Sequence, residues 1–137
     1  MTDPVQIVRT VTTSTSVYEL RADGVVAQRL HSSKTQSLAD ARENTTAFNQ
    51  LAADTKRPLL VDMRGTFSTE RGVREHYASH EATSRCVAIA LVIGSTAGRI
   101  IGNLFLSIQS PAVPTRMFTD EASALAWLQR LMPRPST

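Results

Sequence analysis

The sequence predicts an α/β domain whose mixed sheet has an antiparallel hairpin at its N-terminal side, a parallel centre and covering helices. The dipeptide Asp23-Gly24 joins two short strand-like segments, as in a tight hairpin. Strand and helix patterns then alternate along the chain, which requires crossover connections between parallel strands. The apolar run over residues 86–108 breaks at residues 94–96, so it predicts a buried strand, a tight turn and a helix.

The individual elements follow from periodicity and end signals. The hairpin strands are predicted over residues 16–21 and 25–30. Ser37 opens a helix that runs to about Ala53. Residues 59–63 form a short, mostly apolar central strand.

The second half of the chain contains two more helices and a strand. A helix near residues 70–83 has a thin apolar face, so we expect much of it to be exposed or to face a partner. Residues 114–118 give a last strand. The final helix starts near Asp120, is anchored on the sheet by Trp127 and ends before Pro133.

Size and composition limit the chain to one domain. Its 137 residues suit a single core, and the 42% hydrophobic and 5% aromatic fractions predict mainly aliphatic and alanine packing. We predict a loosely ordered extension over residues 1–14, the domain over residues 15–132 and a short tail over residues 133–137.

The charge pattern excludes some partners. The net charge is +3, and basic and acidic residues are interspersed along the chain. The sequence has no cluster of basic residues of the kind that binds nucleic acid, so we expect no nucleic-acid partner. Residues 87–108 are long enough to span a bilayer, but Arg99 near their centre costs about 2.5 to 3.5 kcal/mol on insertion. We therefore expect no transmembrane segment.

The single cysteine, Cys86, excludes an intrachain disulfide and suits a reducing compartment. Its place in an apolar strand predicts a small buried hydrophobe instead of a reactive thiol. The N-terminal residues lack the charged and apolar regions of a signal peptide, so we expect a cytoplasmic protein.

Three segments carry a resemblance to a known family. They are residues 57–65, residues 87–108 with the motif Gly98-Arg-Ile-Ile-Gly-Asn103, and residues 114–122 with the following Ala126-Trp-Leu128. Over roughly residues 15–132 the chain resembles the STAS-like domains related to the sporulation anti-anti-sigma factor, often called SpoIIAA-like. It looks like an uncharacterised bacterial branch of that superfamily, and the resemblance implies architecture first.

The resemblance also points to a modification site. In anti-anti-sigma factors a strand is followed by an Asp-Ser-Ser-Gly loop whose serine a partner kinase phosphorylates. The corresponding residues 66–72 keep hydroxyls at Ser68 and Thr69 and a glycine at Gly72, but lack that motif. Ser68 and Thr69 are therefore phosphorylation candidates, with plain N-capping of the next helix as the alternative.

A polar edge is the main binding candidate. Parallel strands deliver their carboxyl ends to one sheet edge, where helix N-terminal amides favour anions. The candidate ligand- or partner-binding residues are Asp62, Arg64, Ser95, Thr96, Arg99 and Asn103. The alternative is structural: Asp62 pairs with Arg64 or Arg99, and Ser95 caps a helix.

Two further features of the sequence give weaker signals. The predicted helix over residues 100–108 is either a buried core helix or an exposed apolar strip for self-association or a lipid-like ligand. His76 and His80 are four apart on one helix, but they lack the order of known zinc motifs, so we expect a solvated or partner-facing helix and no metal.

The sequence thus favours a non-enzymatic STAS-like regulatory domain that acts by contact with a protein partner or a second copy of itself, as in a homodimer. The alternative is a domain that binds a small apolar, anionic or lipid-like ligand with residues 94–103 and the apolar helix. No nucleophile, acid-base pair or cofactor motif can be assigned, so we expect no catalysis and no cofactor.

Overall fold

The computed structural model describes residues 5–31, 35–64, 68–94 and 113–132. They form a six-stranded sheet whose spatial order follows the chain. The strands are β1 (Ile7–Thr12), β2 (Ser16–Arg21), β3 (Val26–Leu30), β4 (Arg57–Asp62), β5 (Cys86–Val92) and β6 (Thr115–Phe118). The helices in these ranges are α1 (Leu38–Ala52), α2 (Val73–Tyr77), α3 (His80–Thr83) and α4 (Glu121–Leu131).

The sheet is mixed, as predicted. Strands β1, β2 and β3 pair antiparallel, and β3, β4, β5 and β6 pair parallel. Gly24 closes the β2–β3 hairpin with a φ of 92°, a value that glycine adopts without steric cost. The Asp23 carboxylate accepts a hydrogen bond from the Val25 amide at 3.1 Å and so fixes the turn. The predicted α/β class with an antiparallel hairpin and parallel centre is confirmed.

The N-terminal residues differ from the prediction of a loosely ordered extension. Ile7–Thr12 is a strand that pairs with β2 along its length. Most of its side chains are exposed on both faces, and Val8 is 63% exposed. The strand is held by backbone hydrogen bonds to β2 and buries few side chains. Its sequence therefore shows no alternation of apolar and polar residues that would predict a strand.

Helix α1 confirms the predicted start at Ser37. The Ser37 side chain accepts from the Asp40 amide, and the Asp40 carboxylate accepts from the Ser37 amide, which is a capping box. The helix is followed by Ala53 at a φ of 54°. Its buried face presents both apolar side chains, such as Phe48, and polar ones, such as Asn44.

Two short helices replace the single helix predicted over residues 70–83. Ser79 interrupts it, because its side chain caps α3 by accepting from the Ala82 amide at 3.3 Å. Val73 is fully buried and His76 is 8% exposed, whereas Glu75, His80 and Glu81 are exposed, so a large part of the segment faces outward as expected. This segment packs on α1.

Each face of the sheet carries its own core. Among the described residues, the α4 side includes Val25, Ala27, Leu60, Ala88, Ala90, Val92, Ala124, Trp127 and Leu128. The α1 side includes, in the same part of the chain, Tyr18, Val26, Ala47, Phe48, Leu51, Ala52 and Cys86. An irregular register between β4 and β5 adds one residue to β5 and turns Cys86 to the α1 side.

Cys86 is a buried thiol, as predicted. Burial raises its pKa to about 12, so the thiol stays protonated at neutral pH. The predicted turn and helix after Gly94 lie outside the described residues. Among the helices that the structure describes, none is long and apolar enough to cross a membrane.

Candidate functional site

Asp62 and Arg64 lie at the carboxyl end of β4, where the sequence placed them, but they bind each other. The Arg64 Nε and Nη2 atoms donate to the two Asp62 carboxylate oxygens at 2.9 and 2.8 Å. These hydrogen bonds, outweighing partial burial, hold the pKa of Asp62 below its usual value. This pairing is the structural alternative that the sequence left open.

Arg29 extends the same ion network and neutralises it further. Its guanidinium contacts Glu19 at 3.0 Å, Asp62 at 3.4 Å and Glu121 at 2.8 Å. Within the described residues, both arginines of this network are therefore engaged by carboxylates, and the edge offers an anion little free positive charge. The other predicted members, Ser95, Thr96, Arg99 and Asn103, lie outside the described residues.

Ser68 and Thr69 form a short parallel bridge with the segment before α1. The Gln36 amide donates to the Ser68 carbonyl at 3.0 Å, and the Glu70 amide donates to the Gln36 carbonyl at 2.8 Å. The exposed Ser68 hydroxyl lies 2.8 Å from the Thr35 hydroxyl. Because α2 begins only at Val73, neither Ser68 nor Thr69 caps it, and the N-capping alternative is wrong.

His76 and His80 are separated by the break at Ser79 and do not act as a pair. The His76 ring Nε2 lies 2.8 Å from the Thr45 hydroxyl in a buried hydrogen bond, whereas His80 is exposed at the start of α3. The expectation of a solvated helix is thus wrong for His76. In the ranges that the structure covers, no group of three possible metal ligands comes together.

A cavity of about 90 Å³ lies on the α1 side of the sheet, beneath α1 and the segment 69–82. Its apolar wall is made by Phe48, Leu59, Val61, Met63, Ala82, Cys86, Ile89 and Leu91. Its polar wall is made by Tyr18, Gln28, Gln36, Asn44, Thr45, Thr69 and Tyr77. Among the described residues that line it, none carries a charged side chain.

The floor of the cavity is one row of side chains across four strands. Tyr18 on β2 pairs with Gln28 on β3, Gln28 pairs with Val61 on β4, and Val61 pairs with Leu91 on β5. The row is polar at its β2–β3 end and apolar at its β4–β5 end. A ligand in this cavity would meet a polar wall at one end and an apolar wall at the other.

The roof of the cavity holds a buried hydrogen-bond chain. The Asn44 Nδ2 group donates to the Thr15 hydroxyl and to the Tyr77 hydroxyl, each at 3.1 Å. The Tyr77 hydroxyl donates to Gln36 Oε1 at 2.7 Å, and the Thr13 hydroxyl donates to Asn44 Oδ1 at 2.6 Å. The roof side chains thus satisfy one another and fix α2 against α1.

Two floor groups have no such partner. Tyr18 is 2% exposed, and its hydroxyl makes no hydrogen bond to a described residue. Gln28 donates through Nε2 to the Ser16 hydroxyl at 3.0 Å, while its Oε1 has no hydrogen bond to the described part of the chain. Burial raises the pKa of Tyr18 well above its usual value, so the hydroxyl keeps its proton.

Sequence reasoning missed Tyr18 and Gln28. The usable signal was Gln28 itself, a polar residue that directly follows the apolar run Val25-Val-Ala27 and shares the face of Val26. An inward glutamine needs a hydrogen-bond partner and so marks a polar spot in the core. Nothing in the spacing links it to Asn44 or Tyr77, which reach the same cavity from other elements.

Comparison with known proteins places the chain in a family. The model of a family described as "Domain of unknown function (DUF7793)" matches residues 18–132. A protein of unknown function from Arthrobacter sp. FB24 is 33% identical over 81% of this chain and 96% of its own, with a TM-score of 0.33. No curated protein matches the chain.

The fold also has a counterpart among solved structures. An uncharacterised protein of the DUF3478 family from Shewanella loihica PV-4, described as having a SpoIIAA-like fold, matches 93% of this chain and 98% of its own length. The TM-score is 0.51 at 12% identity, so the likeness concerns the fold alone. The chain therefore belongs to the DUF7793 family, and its fold is SpoIIAA-like.

Proposed function

We propose that the chain is a non-enzymatic binding domain that holds a small, mostly apolar molecule in the cavity on its α1 side. The observation that carries this proposal is the cavity itself, with a volume of about 90 Å³. Protein interiors are close-packed, and voids larger than a water molecule are few in one domain. Pockets for drug-sized ligands measure about 300 to 1,000 Å³, so this void suits only a very small molecule or the buried part of a larger one.

The lining supports a ligand more than a packing defect. Leu59, Val61 and Ile89 are only half-buried, although they lie on central strands of the sheet. The polar roof is held open by the hydrogen bonds of Tyr77 and Asn44, so the cavity cannot collapse without breaking them. Preorganised space of this kind is a general property of ligand pockets.

The side chains that line the cavity also support a non-enzymatic role. Burial raises the pKa values of Tyr77 and Cys86 to about 12, so both stay protonated at neutral pH. His76 does not line the cavity and is bonded to Thr45. The described lining therefore supplies no group suited to act as a general base or a thiolate nucleophile.

A second candidate function is regulation by contact with a protein partner, the role that the family resemblance implies. One observation favours it: Thr69 lines the cavity, and the adjoining Ser68 is exposed. A ligand in the cavity would then lie directly behind a surface that a partner or a kinase can reach. This candidate predicts that Ser68→Arg releases a copurified protein partner without changing ligand content.

Native mass spectrometry of gently purified protein tests the binding proposal. We expect an added mass that is lost on denaturation and is absent from Val61→Phe, in which the larger side chain fills the cavity. Val8→Phe is the matched control, because it makes the same substitution at an exposed position of β1. No added mass in the wild type, together with no saturable binding of small aromatic probes, would contradict the proposal.

A further inference from the structure

The chemistry of the ligand can be argued from the Tyr18–Gln28 pair. The two residues lie directly opposite each other on antiparallel strands, and both line the cavity. Tyr18 is 2% exposed and Gln28 is 5% exposed, so both side chains are almost entirely buried. Opposite residues of this kind have Cβ atoms about 4.5 to 5.5 Å apart, close enough to share one ligand group.

The Tyr18 and Gln28 side chains differ from the roof side chains in how far their hydrogen-bonding groups are used. Asn44 and Tyr77 each both donate and accept within the protein. In contrast, the Tyr18 hydroxyl and Gln28 Oε1 make no hydrogen bond to the described residues. Polar groups inside a protein nearly always bond to the protein, to water or to a ligand. A molecule in the cavity can therefore supply the hydrogen-bond partner of both atoms.

The two atoms differ in what they offer. The Tyr18 hydroxyl keeps its proton and can donate, whereas a carboxamide oxygen such as Gln28 Oε1 only accepts. A single hydroxyl between them, as in an alcohol or a phenol, can accept from the Tyr18 hydroxyl and donate to Gln28 Oε1. A carboxylate cannot donate, and no positive side chain among the described lining residues would compensate its burial.

We propose that the cavity selects an uncharged hydroxyl compound, whose hydroxyl lies between Tyr18 and Gln28 and whose apolar part lies over Val61 and Leu91. This inference rests on the proposed function, since it describes the ligand of the same cavity. It also assigns the ligand an orientation, because the floor runs from polar side chains on β2 and β3 to apolar side chains on β4 and β5.

Three small probes test the selection: phenol, benzene and benzoate, each titrated into ¹⁵N-labelled protein and followed by NMR. Phenol and benzene differ by one hydroxyl, and benzoate carries the charge that the lining rejects. We expect phenol to bind at least about fivefold more tightly than benzene, as one or two net hydrogen bonds provide. Benzoate should show no saturable binding at the same concentrations. Equal affinities for phenol and benzene, or benzoate binding as tight as that of phenol, would overturn the inference.

The variant Tyr18→Phe removes the donor and keeps the ring. Its phenol-to-benzene affinity ratio should fall by about fivefold, and an unchanged ratio would overturn the inference. If Tyr18→Phe loses its dispersed amide spectrum and so does not fold, Gln28→Met replaces it as the test variant, because it removes the acceptor. Its phenol-to-benzene affinity ratio should also fall, and an unchanged ratio would overturn the inference. Val61→Phe separates the two proposals. If phenol and benzene bind equally well and Val61→Phe abolishes the binding of both, the cavity is a ligand site without a preference for a hydroxyl. If neither probe shows saturable binding, both proposals are wrong.

Discussion

The two faces of the sheet are built from the same strands, but one face is closely packed and the other leaves a cavity. On the α4 side, Leu60 and its neighbours form a continuous apolar cluster around Leu128 and Trp127. On the α1 side, the adjoining Val61 lines a cavity with a polar roof. Neighbouring residues of one strand thus serve opposite faces, and the comparison separates residues that stabilise the fold from those available for binding.

Side-chain size explains part of the difference. The α4 side places alanines at Ala88 and Ala90 of β5 and at Ala124 of α4, so the helix can approach the sheet closely. The α1 side places the larger Ile89 and Leu91 on the same strand. The polar side chains of α1 cannot fill the remaining space between them, because their hydrogen bonds hold them in the roof.

Truncating one leucine on each face should give the largest contrast. Leu128→Ala is expected to lower the free energy of unfolding by about 3 kcal/mol, because Leu128 is fully buried in a closely packed cluster. Leu59→Ala should cost about 1 to 1.5 kcal/mol, since Leu59 is half-buried and already borders a cavity. Urea unfolding at pH 7 measures both values. Equal losses would mean that the α1 side is packed as tightly as the α4 side.

Enlarging one residue on each face tests the same contrast in the opposite direction. Ala90→Leu should destabilise the protein by about 2 kcal/mol, because fully buried Ala90 leaves no room for added atoms. Val61→Phe should change the stability by less than about 1 kcal/mol, because the cavity accepts the larger ring. Thermal and urea unfolding of both variants check this. A loss of about 2 kcal/mol in Val61→Phe would argue that the space is not there.

The two tyrosines of the cavity should respond differently to loss of the hydroxyl. Tyr77→Phe breaks hydrogen bonds with Asn44 and Gln36 and should cost about 1.5 kcal/mol. Tyr18→Phe should cost nothing measurable in the ligand-free protein, because its hydroxyl has no hydrogen bond to a described residue. The pair is measured by urea unfolding after the ligand has been removed by refolding. A cost in Tyr18→Phe equal to that of Tyr77→Phe would show that Tyr18 is already satisfied within the protein.

The smallest effect is expected at the ion network on the sheet edge. Asp62→Asn should lower stability at pH 7 by about 0.5 kcal/mol, since exposed or half-buried ion pairs contribute little. The pKa of Asp62 is lowered in the fold, so its contribution is present above the unfolded-state value near 3.9 and is lost as the pH falls through the folded-state value. The wild type and variant should therefore converge once the pH has fallen below the folded-state pKa. A difference that persists there would rule out the carboxylate as its source.

Most of the fold could be predicted because its signals are local. Asp23-Gly24 marks the hairpin, Ser37 caps α1, and the apolar pattern of β5 depends only on adjacent residues. Strand β1 was not predicted, because it buries few side chains and so carries no apolar pattern. The break at Ser79 also escaped, because Ser79 lies inside a segment whose helical spacing continues through it.

Less of the candidate site could be predicted, for a physical reason. Asp62 and Arg64 were placed correctly at the end of β4, and their mutual pairing was one of the two alternatives. The cavity, however, depends on distances between elements far apart in sequence, such as Tyr18 and Tyr77. Spacing predicts which face a residue occupies, but not whether the space above it is filled.

A crystal structure of gently purified protein would test the binding proposal most directly. It should contain electron density for a small non-protein molecule above the row formed by Tyr18, Gln28, Val61 and Leu91, with a polar atom within hydrogen-bond distance of the Tyr18 hydroxyl. A cavity closed by its own side chains, or holding only water both in that crystal and after soaking with phenol, would contradict the assignment of this cavity as a ligand site.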